Sequence, residues 1–136
     1  MRKVLVIIGL IAVGVGGFWV INALTKVSAN ARTSKLNDDV ENLFIALQQY
    51  KETVGGYPAG GNGDIAKALK GKNPKNVMIV VGRKIPSNEK GEFVDPWGTP
   101  LRIYFSDNGV LIRSAGANRR FDDSTVLEAD DYIRSN

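Results

Sequence analysis

Few side chains in this chain could carry out chemistry. The 136 residues include no Cys and no His, which removes the thiolate nucleophile, the commonest general base and the commonest transition-metal ligands. Serine, lysine, tyrosine and the carboxylates remain, and their arrangement does not resemble a paired-carboxylate active site. We therefore predict that the protein is not an enzyme and takes no small-molecule substrate.

The carboxylates that could bind a cation are concentrated near the C-terminus, in 22 residues of little periodicity. They are Asp122, Asp123, Glu128, Asp130 and Asp131. Clustered carboxylates on a loop could bind a cation through their oxygens. The alternative is that Asp122 and Asp123 pair with the adjacent Arg119 and Arg120, while Asp130 and Asp131 only keep the tail soluble.

The basic residues are concentrated at the other end of the chain. Residues 1–35 contain five basic residues and no acidic one, whereas residues 36–136 contain 13 basic and 14 acidic residues, a net charge of −1. The overall charge of +4 therefore comes from the N-terminal segment and does not indicate nucleic-acid binding.

The first elements that could position these residues are helical. After a tail of residues 1–3, residues 4–24 carry no charge, and as a helix they extend about 32 Å, enough to cross the ~30 Å hydrocarbon core of a membrane. The segment predicts a transmembrane helix in contact with lipid. The alternative is a cleaved signal peptide with its cleavage site at 29–31. Basic residues lie on both sides of the segment, so the charge rule does not decide its orientation.

A second helical segment, an amphipathic stem over residues 25–54, follows directly. Its apolar residues recur at alternating spacings of four and three, which is typical of a helix with one buried face. They are Leu36, Val40, Leu43, Leu47, Tyr50 and Val54. Gly55-Gly56 then predicts the helix end.

The remaining residues, 55–136, predict a small globular domain. Asp64 is expected to cap a short helix that Gly71 ends, and Asn-Gly between two alternating runs is a strong hairpin signal. We predict strands at 77–81, 91–94, 101–105 and 110–114, with a turn at 95–98. The predicted class is α+β, with the long helix packed on a small antiparallel sheet.

Five motifs in this order resemble the type II secretion pseudopilins, most closely the major, G-type pseudopilin. They are Leu47-Gln-Gln-Tyr-Lys51, Gly56-Tyr-Pro58, Phe93-Val-Asp-Pro-Trp-Gly-Thr-Pro-Leu101, Ser114-Ala-Gly-Ala-Asn118 and Ala129-Asp-Asp-Tyr-Ile133. The resemblance implies a type IV pilin-like fold and a single-pass protein of the bacterial inner membrane. Its globular domain is expected in the periplasm, and its N-terminal helices are expected to self-associate, or to pack with other pseudopilins, in a fibre that drives protein secretion.

The resemblance also implies a calcium ion in the C-terminal loop. Matching positions assign its ligands to Ser114, the carbonyl of Ala115, Asn118, Asp130 and Asp131. Asn118 stands where the family usually has Asp, and two arginines that oppose a cation follow it.

The N-terminus departs from the family pattern. No prepilin leader is recognisable, and Leu5 stands about where the family has a Glu inside the apolar helix. No acidic residue precedes Asp38, so the usual pairing of that Glu with a neighbouring subunit's N-terminal amine cannot occur. This favours either a non-standard assembly or an alternative function, a membrane-anchored periplasmic binding module that does not polymerise.

Overall fold

The computed structural model describes the backbone at residues 2–79, 85–107, 109–122 and 130–136, and side chains from residue 20 onward within those ranges. The chain divides into two compact units, Met1–Ser34 and Lys35–Asn136. Most of the predicted membrane span, 4–24, lies outside the residues whose side chains are described. Within the described part, no helix is both long enough and apolar enough to cross a membrane.

Helix α1 spans Arg2–Val54 and carries the predicted apolar stripe. Five members of the stripe are at most 4% exposed, and Val54 packs against them. Gly55 follows with φ at +101°, and its N–H donates to the carbonyl of Lys51. A left-handed residue at this point ends an α-helix at little cost only if it is glycine. The predicted stripe and helix end are both confirmed.

A short helix, α2, spans Asn62–Leu69. Asp64 lies in its first turn rather than before it, and its carboxylate accepts the N–H of Gly61 at 3.3 Å. The predicted cap was therefore wrong in position, because the helix starts at Asn62, three residues before its apolar run begins at Ile65. Gly71 follows the helix with φ at +104°, which confirms the predicted end.

Three strands form one antiparallel sheet in the order β1-β2-β3. They are β1, Arg102–Ser106, β2, Gly109–Ser114, and β3, Tyr132–Ser135. The hairpin between β1 and β2 confirms the prediction, with Ser106 opposite Gly109. The third strand was not predicted, because it has only four residues and its Ile133 is 57% exposed.

The core lies between residues 36–54 of α1 and the sheet. Val110 and Ile112, alternate residues of β2, are at most 2% exposed and belong to the same buried cluster as Leu43 and Leu47 of α1. Alternation in the strand and the four-three spacing in the helix each turn one face inward. The unit Lys35–Asn136 is therefore α+β, with the C-terminal part of the long helix packed against a small three-stranded antiparallel sheet.

The apolar run at 77–81 does not form the predicted strand where it is described. The side chain of Asn73 donates to the carbonyl of Val77 and accepts its N–H. Both backbone groups of Val77 are thus satisfied locally and are not available to a β-ladder. The rest of this run, residues 80–81, lies outside the described residues.

The predicted strand at 91–94 is reduced to single bridges, Phe93 to Ser87 and Val94 to Pro100. Pro100 has no N–H to donate, so a longer ladder cannot form there. The side chain of Asn62, in the first turn of α2, holds this segment instead. Its amide donates to the carbonyls of Phe93 and Leu101, both at 2.8 Å, and its oxygen accepts the Phe93 N–H at 2.6 Å.

Candidate cation site in the C-terminal loop

The acidic loop joins β2 to β3, and the sheet brings its two ends together. Ser114, the last residue of β2, lies opposite Tyr132, the first residue of β3. The described parts of the loop, 115–122 and 130–131, therefore meet although the chain between them is long. The two ends of the loop are close because β2 pairs with β3, so their proximity depends on the tertiary structure.

Three carboxylates converge at this point: those of Asp122, Asp130 and Asp131. One oxygen from each lies within 4.8 Å of the others. Asp130 is exposed, whereas the other two residues are partly buried. This triad could bind one metal ion. Of the predicted ligands, Asp130 and Asp131 belong to it, while Asp122 had been assigned to the ion-pair alternative.

Ser114, predicted as a ligand, makes two hydrogen bonds within the domain. It is fully buried, and its hydroxyl donates to a carboxylate oxygen of Asp95 at 2.8 Å and accepts the N–H of Gly116 at 3.1 Å. Ala115 is also fully buried. The Ser114 hydroxyl therefore fixes the base of the loop.

Asp95 connects the turn at 95–98 to the base of this loop through hydrogen bonds. Its side chain is almost fully buried, and one carboxylate oxygen accepts the N–H groups of Trp97 and Thr99 at 3.0 and 2.9 Å. The other oxygen accepts the Ser114 hydroxyl. A buried carboxylate needs such donors to offset its lost hydration. The Asp-Pro-Trp-Gly turn and the Ser-Ala-Gly segment thus form one hydrogen-bonded structure.

Asn118 joins the two ends of the loop. Its backbone N–H donates to the Asp130 carboxylate at 2.9 Å, and its side-chain amide donates to the Asp122 carboxylate at 2.5 Å. Gly116 has φ at +69°, and a Cβ there would lie 2.3 Å from the Asp130 carbonyl oxygen. Only glycine allows the two segments to approach this closely.

Among the described residues of the loop, Asp131 forms an ion pair with Arg113 of β2, while Asp123 of the ion-pair alternative lies outside the described residues. The Nε of Arg113 donates to the Asp131 carboxylate at 2.5 Å, and its Nη2 donates to the main-chain oxygen of Asp122. The Asp131 side chain is only 5% exposed. An arginine therefore already supplies positive charge at the carboxylates that converge here.

A second ion pair ties α1 to β3. The Nε of Arg134 donates to the Glu41 carboxylate at 2.8 Å, and the Arg134 guanidinium lies 4.0 Å from the centre of the Phe44 ring. This hydrogen bond lowers the pKa of Glu41 below its usual value of 4.5. Glu41 is half exposed, so the pair contributes little to stability.

Comparisons of this chain with protein-family models, with characterised proteins and with solved structures gave no match. Any function must therefore be argued from the residues and contacts described above.

Proposed function

We propose that the protein is a structural subunit of a pseudopilus-like or pilus-like fibre involved in protein secretion. In this proposal the N-terminal helix anchors the chain in the bacterial inner membrane, and the globular domain lies in the periplasm. Copies of the chain, or this chain and other pseudopilins, assemble through their N-terminal helices. In this role the N-terminal helix packs against other helices and the fibre presents the globular domain, without catalysis.

The observation that carries the proposal is an exposed apolar face on α1. Val20, Leu24 and Val27 are 59%, 65% and 67% exposed, and their spacings of four and three residues place them on one side of the helix. Contiguous apolar surface of this kind is normally covered by lipid or by another helix. The resemblance of residues 36–136 to the type II secretion pseudopilins supports the interpretation that this face packs against other helices in a fibre.

A second candidate function is a membrane-anchored periplasmic module that binds another envelope protein and does not polymerise. It is supported by the lack of any acidic residue before Asp38. An acid in the membrane is kept only where it has a partner, and in pilins that partner is the next subunit. The two candidates share an anchor and differ in what its apolar face contacts.

Cysteine crosslinking in cells separates the two candidates, because the chain has no Cys of its own. Val20→Cys and Val27→Cys place a thiol on the apolar face. Ala29→Cys is the matched control, because it lies nine residues from Val20, about two and a half turns, and so on the opposite side of the helix.

Each single-Cys chain can form one disulfide, so a fibre subunit gives strong dimers from Val20→Cys and from Val27→Cys and much weaker dimers from Ala29→Cys. The combined Val20→Cys/Val27→Cys variant then gives a ladder of multimers. A crosslink to one different protein supports the anchored module. Equal dimer yields from all three single-Cys variants would show random collision in the membrane and would contradict assembly through this face.

The loop supports a separate proposal, that the carboxylate triad binds a hard cation such as Ca²⁺. Carboxylate and amide oxygens are the ligands calcium prefers, and it takes six to eight of them. Three of the residues assigned by the resemblance, Asn118, Asp130 and Asp131, lie at the meeting point of the loop ends with Asp122. Ser114 is left out of this set, because its hydroxyl bonds Asp95.

A further inference from the structure

Arg113 occupies an unusual position in the sheet. It lies on β2 directly opposite another arginine, Arg102 of β1, and opposite Ile133 of β3. Like charges on directly opposed residues normally destabilise a β-ladder. Nearby groups offset this cost: the Phe121 ring centre lies 3.8 Å from the Arg102 guanidinium and 5.5 Å from that of Arg113, and Arg113 also has a carboxylate partner.

The contacts of Arg113 join the two ends of the acidic loop. Its Nε donates to Asp131, at the end of the loop, while its Nη2 donates to the main chain of Asp122 in the first part of the loop. Asp131 in turn accepts the N–H of Asp122 through its second oxygen, at 3.2 Å. A bound metal ion would make the same kind of link, drawing carboxylate and carbonyl oxygens from both ends toward one positive charge.

Burial makes this link more than a surface ion pair. The Arg113 and Asp131 side chains are 23% and 5% exposed, whereas those of the exposed pair Lys67 and Asp64 are 59% and 62% exposed. Removing one partner of a buried pair leaves an uncompensated charge and is far more costly than removing one partner of an exposed pair. The guanidinium also has a planar donor array that reaches two acceptors at once.

We propose that Arg113 is the resident cation of this loop, holding its ends together in the absence of a metal. The calcium dependence expected when Arg113 is lost rests on the proposed cation site, whereas the link that Arg113 makes between the loop ends does not, and neither rests on fibre assembly. Calcium gains the Asp131 carboxylate only by displacing Arg113. The closed loop is therefore independent of calcium in the natural chain and becomes dependent on it when Arg113 is lost.

The test uses the full-length chain, purified in a mild detergent, and trypsin cleavage after Arg119 and Arg120. Both arginines are exposed and lie inside the loop, and the cleavage rate tracks the population of the open loop when opening is rapid. Rates are measured by mass spectrometry in EDTA and in millimolar calcium chloride, and each is normalised to cleavage of a short arginine peptide in the same buffer.

Two variants are compared with the natural chain. Arg113→Gln removes the guanidinium, and Arg102→Gln is the matched control. Arg102 lies opposite Arg113 and packs on the same Phe121 ring, but among the described residues the arginine that pairs with Asp131 is Arg113.

The natural chain is expected to be cleaved at the same rate in both buffers. Arg113→Gln is expected to be cleaved at least about tenfold faster in EDTA, and calcium should slow that cleavage, while Arg102→Gln changes far less. The inference is overturned if EDTA speeds cleavage of the natural chain, or if Arg113→Gln is cleaved no faster than Arg102→Gln. Faster cleavage of Arg113→Gln that calcium does not slow supports the role of Arg113 and refutes the cation site alone.

A second comparison keeps the inference testable if Arg113→Gln folds poorly. Asp131→Asn removes the same ion pair from the other side and preserves the side-chain shape. The Arg113→Gln/Asp131→Asn double variant should then be cleaved no faster than the worse single variant, because the two residues act as one pair. Additive effects of the two substitutions would overturn the inference.

Discussion

Replacing Ser114 by Ala tests the buried structure at the base of the loop. The Ser114 hydroxyl is the donor to one oxygen of the Asp95 carboxylate and the acceptor for the Gly116 N–H. Both Ser114 and Asp95 are at most 2% exposed. Water therefore cannot replace the lost hydroxyl without a rearrangement of the loop.

The expected loss of stability follows from these two hydrogen bonds. A hydrogen bond to a charged group contributes about 1.5–3 kcal/mol, and a buried N–H left without an acceptor costs about 1 kcal/mol or more. Asp95 keeps the N–H groups of Trp97 and Thr99, so it is not wholly unsatisfied. We expect Ser114→Ala to lower the free energy of unfolding by about 3 kcal/mol. For a domain of this size that corresponds to a Tm lower by about 12 °C.

The matched control is Ser106→Ala, which also lies at the end of a strand. Its hydroxyl is exposed and makes a long 3.5 Å contact with the Gly109 carbonyl oxygen, so the expected change is within about 0.5 kcal/mol. The assay is urea unfolding in EDTA, followed by tryptophan fluorescence, because Trp97 lies in the turn that Asp95 holds.

Equal stability of Ser114→Ala and Ser106→Ala would refute the reasoning. A loss that occurs only when calcium is present would also refute it, since that pattern identifies Ser114 as a metal ligand. A large loss in EDTA, unchanged by calcium, agrees with the bond to Asp95.

Two further predictions concern the loop and the pair that joins α1 to β3. Gly116→Ala should destabilise the protein by more than about 2 kcal/mol, because φ is +69° and the new Cβ would lie 2.3 Å from the Asp130 carbonyl oxygen. Gly98→Ala, at φ +87° with open space around it, should cost only about 1 kcal/mol, and equal losses in urea unfolding would contradict the close approach. For Glu41, the lowered pKa means that its contribution is present above the usual value of 4.5 and is lost as the pH falls through the lower folded value. The stability difference between the natural chain and Glu41→Gln should therefore be below about 1 kcal/mol at neutral pH and vanish in acid, and a difference that grows on acidification would contradict the assignment.

Local signals predicted the parts of the fold that depend on neighbours in sequence. The apolar stripe of α1, its end at Gly55 and the Asn-Gly hairpin each depend on residues within about four positions of one another. The structure confirms all three. The error at 77–81 has a physical cause, because Asn73 satisfies the backbone of Val77 and so prevents the strand that its apolar residues favour.

For the candidate site, the residue types were predicted, but the contacts between them were not. The sequence indicated an acidic loop, and the resemblance implied a cation there with Asp130 and Asp131 among its ligands. It did not indicate that Ser114 would face Asp95, 19 residues away, or that Arg113 would reach Asp131, 18 residues away. The strand β3 was missed for a related reason, because its residues are stabilised by pairing with β2 and carry little signal of their own.

By itself, the sequence determined the long helix, its buried face, the central hairpin and the chemical character of the C-terminal loop. Each of these follows from backbone geometry or side-chain chemistry over a few consecutive residues. Only the tertiary structure decided which cation the loop carboxylates contact. That choice depends on β2 and β3 pairing in a register that places Arg113 beside Asp131, and contacts between distant residues are set by packing of the whole domain.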